Sequence, residues 1–390
     1  MRNDTSNKAA HRPSSHLCKK KTFTLALLIT LSILVCTRCR PTPPPSQTAR
    51  PLERLVPTLQ ETASLANATP TLPSLAQPSP ETAPKERQRF GVTVSVSPIT
   101  DYAVEALGIG WYLNWQVKIK PSRPDGMAFW QMIRVSEKGH WPPSIIIRRA
   151  AAANPGSTWL IGNEPDVMWQ DNTTPERYAE LYHKLYQGLK SIDPACRVAI
   201  GGISQPTPLR LAYLDQVLSA YQARYAEPMP VDVWNIHNFI LREERDSWGV
   251  DIPPGLDADA GLLYEIQDHD DLQAFQGQIL AFRRWMAERG QRDRPLLISE
   301  YGILMPEDFG FDATRVRAFM YATFDYFLTA SDDALGYPAD DNRLVQWWAW
   351  YSLGDTLYPT GNLFDPVSKT ITPLGVAFAR YVPPKDNPRR

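Results

Sequence analysis

Residues 158–166 read TWLIGNEPD. Five residues suited to a buried strand, Thr158–Gly162, run into Asn163, Glu164, Pro165 and Asp166. A short apolar run closed by a proline predicts a strand that ends in a turn. Here the turn carries an amide and two carboxylates. The same pattern recurs on both sides of this stretch. Phe90–Val94, Gly108–Trp115 and Phe129–Val135 precede it, and Arg197–Gly201, Val231–His237, Pro295–Glu300 and Leu344–Trp350 follow it.

Helical patterns lie between several of these runs. Thr174, Pro175 and Glu176 supply an N-cap, a proline at the first helical position and an acid in the first turn. Behind them Tyr178, Leu181, Tyr182, Leu185 and Leu189 form one apolar stripe. Leu272, Phe275, Ile279, Phe282 and Met286 form another before the seventh run. The link from 115 to 129 is the weakest, with no convincing helix. Eight strands alternating with helices predict an α/β fold, a (β/α)8 TIM barrel. The alternative is an open doubly wound sheet, which usually shows a Gly-rich phosphate loop after its first strand; Val94–Ile99 has none.

The rest of the chain divides by composition. Residues 1–40 carry a charge of +7, and Lys19, Lys20 and Lys21 precede an apolar run from Phe23 to Val35. A cationic patch before a short apolar segment predicts an export signal, or a membrane or lipid anchor. Cys36 and Cys39 stand where a lipidated cysteine would lie, in residues that match such a signal poorly, so cleavage, lipidation and retention all stay open. Residues 41–88 hold 11 Pro and no aromatic residue. They predict a disordered, extended linker, because such a stretch cannot bury enough apolar area to offset ordering its backbone. The body, 89–390, carries a charge of −8 and one cysteine, Cys196. It therefore needs no nucleic acid partner, which would call for a basic surface, and no internal disulfide. The expectation is a monomer held outside the cytoplasm, secreted or tethered at the cell surface, touching the membrane only through its N-terminal segment.

In such barrels the functional groups stand at the carboxyl ends of the strands. These ends offer Trp111 and Asn114 on the second strand, Arg134 on the third, and Asn163 and Glu164 on the fourth. His237 follows on the sixth, Glu300 on the seventh, and Trp348 and Trp350 on the eighth. Two carboxyl groups reaching inward from opposite sides are what glycoside cleavage requires. Tryptophan rings suit the apolar C–H faces of sugars. Asn163 and Glu164 are neighbours, so both can face a cleft only if the strand end kinks there.

These residues also carry a resemblance. The body resembles the retaining glycoside hydrolases of clan A, and within them the alkali-sensitive-linkage type of glycosyl hydrolase catalytic core. The matching stretches, in order, are Gly110–Trp115, Leu160–Asp166, Val231–Phe239, Pro295–Gly302 and Trp348–Leu353. The resemblance implies a general acid/base at Glu164 and a nucleophile at Glu300. It implies an amide at Asn163 for the 2-hydroxyl of the bound sugar, an aromatic floor at Trp350, and a polar cleft group at His237. Arg134 departs from the pattern, since related enzymes carry a comparable arginine on strand two. A β-linked oligo- or polysaccharide is the implied substrate, with no metal and no cofactor. The alternative is a tethered barrel that binds glycans without turnover; a structural or adhesion protein is a third possibility.

Three further expectations follow from the residues. Trp347 is expected on the opposite face from Trp348 and Trp350, packed toward the helices. Asp268, His269, Asp270 and Asp271 look like metal ligands but read as a solvated helix start. The segment 238–270 has little periodicity and is expected to wall the cleft after strand six.

Overall fold

Each apolar run becomes a stave of a parallel barrel. The computed structural model of the protein describes residues 84–383; the expected signal or anchor segment, nearly all of the expected linker, Cys18, Cys36 and Cys39 lie outside the described residues. The strands are β1 (Phe90–Thr93), β2 (Trp111–Leu113), β3 (Ala128–Phe129), β4 (Gln131–Ser136), β5 (Gly139–Trp141), β6 (Thr158–Asn163), β7 (Arg197–Gly202), β8 (Trp234–His237), β9 (Leu296–Tyr301) and β10 (Trp347–Trp350). The helices are α1 (Glu86–Arg89), α2 (Ser144–Ala153), α3 (Pro175–Ile192), α4 (Pro208–Tyr225), α5 (Leu272–Glu288), α6 (Ala313–Thr329) and α7 (Pro373–Tyr381).

One sheet runs β3-β2-β1-β10-β9-β8 and the other β5-β4-β6-β7. β3 and β4 are one stave interrupted at Trp130, whose N–H still donates to Tyr112 O at 3.0 Å. Parallel bridges Ala199↔Val233 and Ile203↔Ile236 join β7 to β8 and close the ring. β5 is the one antiparallel strand among the described residues, paired with β4 in a hairpin.

Alternation along the staves sorts the core into two layers. Leu160, Ala199, Val233, Leu297, Trp347 and Ala349 fill the barrel interior with Trp111, Trp130 and Met132. Trp159, Ile161, Trp348 and Trp350 face the surrounding helices. Arg197 closes one end of the interior, its guanidinium 5.0 Å from the Trp347 ring centre. Gly91 lets Trp111 lie flat inside, because a Cβ there would come within 2.3 Å of the indole.

The stripes predicted for α3 and α5 are the buried faces of those helices, with Leu272 only partly buried. Thr174 precedes α3 as expected, but its side chain makes no capping bond; its N–H donates to Glu137 Oε1 at 2.5 Å instead. The first two connections contain only short 3-10 turns. In the second, Pro121 and Pro124 break any helix. Gln131 pins that link, accepting from Lys118 N at 2.7 Å and donating to Lys118 O at 2.9 Å.

Candidate active site

The chain kinks where β6 ends. Gly162 has φ +97° and Glu164 has φ +45°, a left-handed conformation that non-glycine residues adopt at a cost. Glu164 N still donates to Gly202 O at 2.9 Å, so the turn stays tied to β7. This is the distortion that two adjacent cleft residues demand.

Glu164, His237 and Glu300 meet. His237 is fully buried, with Nδ1 2.9 Å from Glu164 Oε1 and Nε2 3.3 Å from Glu300 Oε1. The imidazole fits because residue 202 is glycine: a Cβ there would lie 2.5 Å from His237 Cδ2. Trp115 Nε1 donates to Glu300 Oε1 at 2.6 Å, from a residue itself held at φ +56°. Two non-glycine residues in left-handed conformation thus aim side chains at the same carboxylate cluster.

Electrostatics follow from this packing. Burial pushes the Glu300 carboxyl up, to about 7; His237 opposes that shift, Glu164 adds to it, and the Trp115 bond and the Arg134 charge pull it down. Burial disfavours charge on His237, but the facing Glu300 and Glu164 carboxylates outweigh it and raise its pKa. Glu300 is thereby moved toward the range where proton transfer near neutral pH operates.

A shell of buried ion pairs fixes the cluster. Asp171 accepts from Asn163 N at 2.8 Å, Val135 N at 2.9 Å and Arg134 Nε at 2.5 Å. Asp166 lies 2.5 Å from Arg210, which also reaches Glu243 at 2.9 Å; none of the three side chains has any exposure. Arg210 further donates to the carbonyls of Val250 and Asp251 at 2.9 and 2.8 Å. Through it the tail of the NEPD stretch is bound to the segment 238–270. That segment packs Phe239, Leu241 and Val250 against Val167, with Leu304, Met305 and Tyr351 alongside. It therefore covers the strand ends on the side of strands four, six, seven and eight.

Several sequence expectations need correction. Trp350 and Trp348 do not face the cleft. Trp350 is fully buried on the helix side, its Nε1 donating to Gly361 O at 2.7 Å and its ring 5.4 Å from Tyr301. Trp348 packs against Phe90 and Phe327 in the same layer. The period of two held, but the phase was inverted, and Trp347 is the interior residue. Trp111 is also core, stacked on Trp130 at 3.9 Å. Arg134 is half-exposed and occupied by Asp171 and Gln170. Asn114 is half-buried beside Trp115 at the end of β2.

The tetrad at 268–271 is no solvated run throughout. His269 is buried, Asp270 pairs with Arg315 at 2.5 Å, Asp268 accepts from Glu265 N, and Asp271 caps α5. Among the described residues no cluster of His, Cys, Asp or Glu could hold a metal ion.

Two residues in the site were not singled out from sequence. Trp115 ends the quoted second-strand stretch. Tyr351 follows β10, with its ring 6.1 Å from Trp115 and 6.4 Å from Phe239 and its hydroxyl donating to Asp355 at 2.9 Å. Asn114 Oδ1, Asn163 Oδ1 and His237 Nε2 are buried and make no hydrogen bond among the described residues. Buried polar atoms are normally paired, so the two amide oxygens suit the hydroxyl groups of a ligand, while Nε2 faces the Glu300 carboxylate.

The fold and site together are a parallel barrel with paired glutamates at the ends of its fourth and seventh strands. Residues 91–247 match the family model of the glycosyl hydrolase catalytic core. This bears out the resemblance read from the strand-end stretches, and the chain is a glycosidase in class. Among solved structures it is similar to a GH128 (subgroup II) endo-β-1,3-glucanase from Pseudomonas viridiflava, at 17% identity and a TM-score of 0.52, over 76% of this chain and 98% of that one. The corresponding subgroup II enzyme from Sorangium cellulosum gives 16% identity and a TM-score of 0.50, over 75% of this chain and 98% of that one. A subgroup I endo-β-1,3-glucanase from Amycolatopsis mediterranei, in complex with laminaritriose, gives 19% and 0.50, over 75% of this chain and 99% of that one. At these identities the likeness is one of fold. No curated protein matches the chain in sequence.

Proposed function

We propose that this chain hydrolyses a β-linked glucan, with β-1,3 linkages the leading choice, by a retaining double displacement. The carrying observation is that Glu164 and Glu300 contact opposite nitrogens of one buried imidazole. The solved structures with this fold include endo-β-1,3-glucanases, one of them holding laminaritriose, which supports the choice of substrate.

Glu300, ionised, attacks the anomeric carbon, while protonated Glu164 gives its proton to the departing glycosidic oxygen. The bond to the leaving sugar breaks as an ester to Glu300 forms. Glu164, now a carboxylate, takes a proton from water, which attacks the anomeric carbon and releases Glu300 with configuration retained. Trp115 holds Glu300 in place as a donor, and His237 Nε2 faces it at 3.3 Å. Asn163 offers its free Oδ1 to a sugar hydroxyl, and Tyr351 rather than Trp350 presents an aromatic face from strand eight. The basic triplet and apolar run near the N-terminus support action outside the cytoplasm; fractionation of expressing cells tests that.

The deciding experiment is turnover of β-1,3-glucan by the full chain, with the product anomer followed by NMR. Glu164→Gln and Glu300→Gln are each expected to lose at least about three orders of magnitude in rate while keeping the wild-type melting profile. Full activity in Glu300→Gln would refute the assignment. Glucan binding without turnover in the wild type would instead mark a glycan-binding barrel.

A further inference from the structure

The β4–β5 hairpin carries a surface that the reaction does not use. A cavity of about 230 Å³ opens on it, lined by Arg134, Ser136, Lys138, His140 and Trp141 among others. Arg134 and Trp141 are directly paired across the hairpin, so their side chains share one face. Trp141 is 69% exposed and stacks on no other ring among the described residues. An aromatic ring that lines one concavity together with a few polar side chains is the composition of a ligand site.

The hairpin is held firmly enough to act as a platform. Glu137 accepts from Thr174 N at 2.5 Å, and its carbonyl accepts from Arg177 at 3.2 Å, tying the tip to α3. His140 is engaged on both ring nitrogens, by Pro142 O at 2.9 Å and Ser144 Oγ at 3.2 Å. The cavity is also joined to the catalytic end. Arg134 lines it and binds Asp171, which accepts from Asn163 N, the residue before Glu164. A platform fixed in advance loses little freedom when a ligand settles on it.

We propose that the Arg134–Trp141 face is an outlying subsite. It stacks one sugar ring of a glucan chain whose scissile bond lies between Glu164 and Glu300. The indole covers the apolar face of the ring, and Lys138 and Arg134 Nη1 donate to its oxygens. The body's charge of −8 favours a neutral polymer over a polyanion. This inference rests on the glycosidase reading and adds a preference for longer chains.

The test is a pair of binding titrations on the full chain, in the Glu300→Gln background so that nothing is cleaved. Laminaritriose and laminarihexaose are compared with and without Trp141→Ala, and Trp141→Phe is added as the conservative variant. Trp141→Ala is expected to weaken hexaose binding roughly 3- to 10-fold, leave triose binding unchanged, and be largely rescued by phenylalanine. Equal loss at both lengths, loss at neither, or no binding of either oligosaccharide would overturn the subsite. Turnover of glucan by the wild type, measured beside it, separates the two ideas. Turnover with length-independent titrations removes the subsite and leaves the glycosidase. Absent turnover removes the glycosidase reading, while the length comparison still decides the subsite.

Discussion

Trp115 bears on the chemistry through one hydrogen bond. Its indole N–H donates to the Oε1 of Glu300, a carboxyl that burial pushes up and that this bond draws down. A hydrogen bond to a charged group contributes about 1.5–3 kcal/mol, and 1.36 kcal/mol is one pKa unit. Trp115→Phe keeps the ring and deletes the donor. Since the ionised form of Glu300 is the one that attacks, its loss moves the acid limb of the kcat/KM profile upward by about one pH unit. A limb at the wild-type position would show that the bond does not tune the nucleophile. Sequence could place Glu164, His237 and Glu300 here because each ends an apolar run. It could not place Trp115 or Tyr351. Both lie just past their strands, where the side-chain direction is set by local backbone geometry such as the φ of +56° at Trp115, and alternation no longer applies.

At the level of elements, the segment 238–270 depends on Arg210. Glu243, Val250 O and Asp251 O all converge on that guanidinium, and Asp166 brings the catalytic turn to it. Breaking a buried ion pair by removing one partner costs about 3–5 kcal/mol, because the other charges stay buried and unpaired. Arg210→Met should therefore lower the denaturant midpoint sharply and open residues 242–262 to limited proteolysis. Deleting residues 243–262 outright would strand Arg210 in the same way, so it would report on folding as well as on the cleft. Helix α5 offers a milder check. Asp271 accepts from Gln273 N and Ala274 N at 2.8 and 3.0 Å. Asp271→Ala should cost about 1 kcal/mol by chemical denaturation with turnover intact. The stripes of α3 and α5 were readable in sequence because a helix face repeats on a fixed period. The hairpin was not, and the segment after strand six was legible only as an aperiodic stretch expected to wall the cleft, since both are built from tertiary hydrogen bonds that leave no period.

For the molecule as a whole, eight apolar runs alternating with helical stretches were enough to predict the barrel. Which face of the eighth stave points inward was not legible: three tryptophans in Trp347–Trp350 satisfy either layer, and packing against Trp130 and Arg197 decides it. Global stability carries its own pH signature through His269. That ring is buried where the segments after strands six and seven meet; Nδ1 donates to Ile240 O at 3.0 Å and Nε2 accepts from Leu304 N at 3.0 Å. Protonating Nε2 would set one N–H against another, and burial holds the pKa down at about 4. The unfolded chain protonates this residue near 6.5, so between 6.5 and 4 the unfolded state binds more protons. Stability from His269 is complete above 6.5 and falls as pH drops toward 4, by roughly 3 kcal/mol in all. Glu300 works in the opposite sense over nearly the same window, because its raised pKa removes stability as pH rises from 4.5 to 7. Comparison with His269→Gln isolates the histidine, since the Glu300 contribution is common to both proteins. The variant should be less stable at pH 7 yet lose less between pH 7 and 4.5. Parallel losses in the two proteins would mean that His269 does not set the acid limit of this barrel.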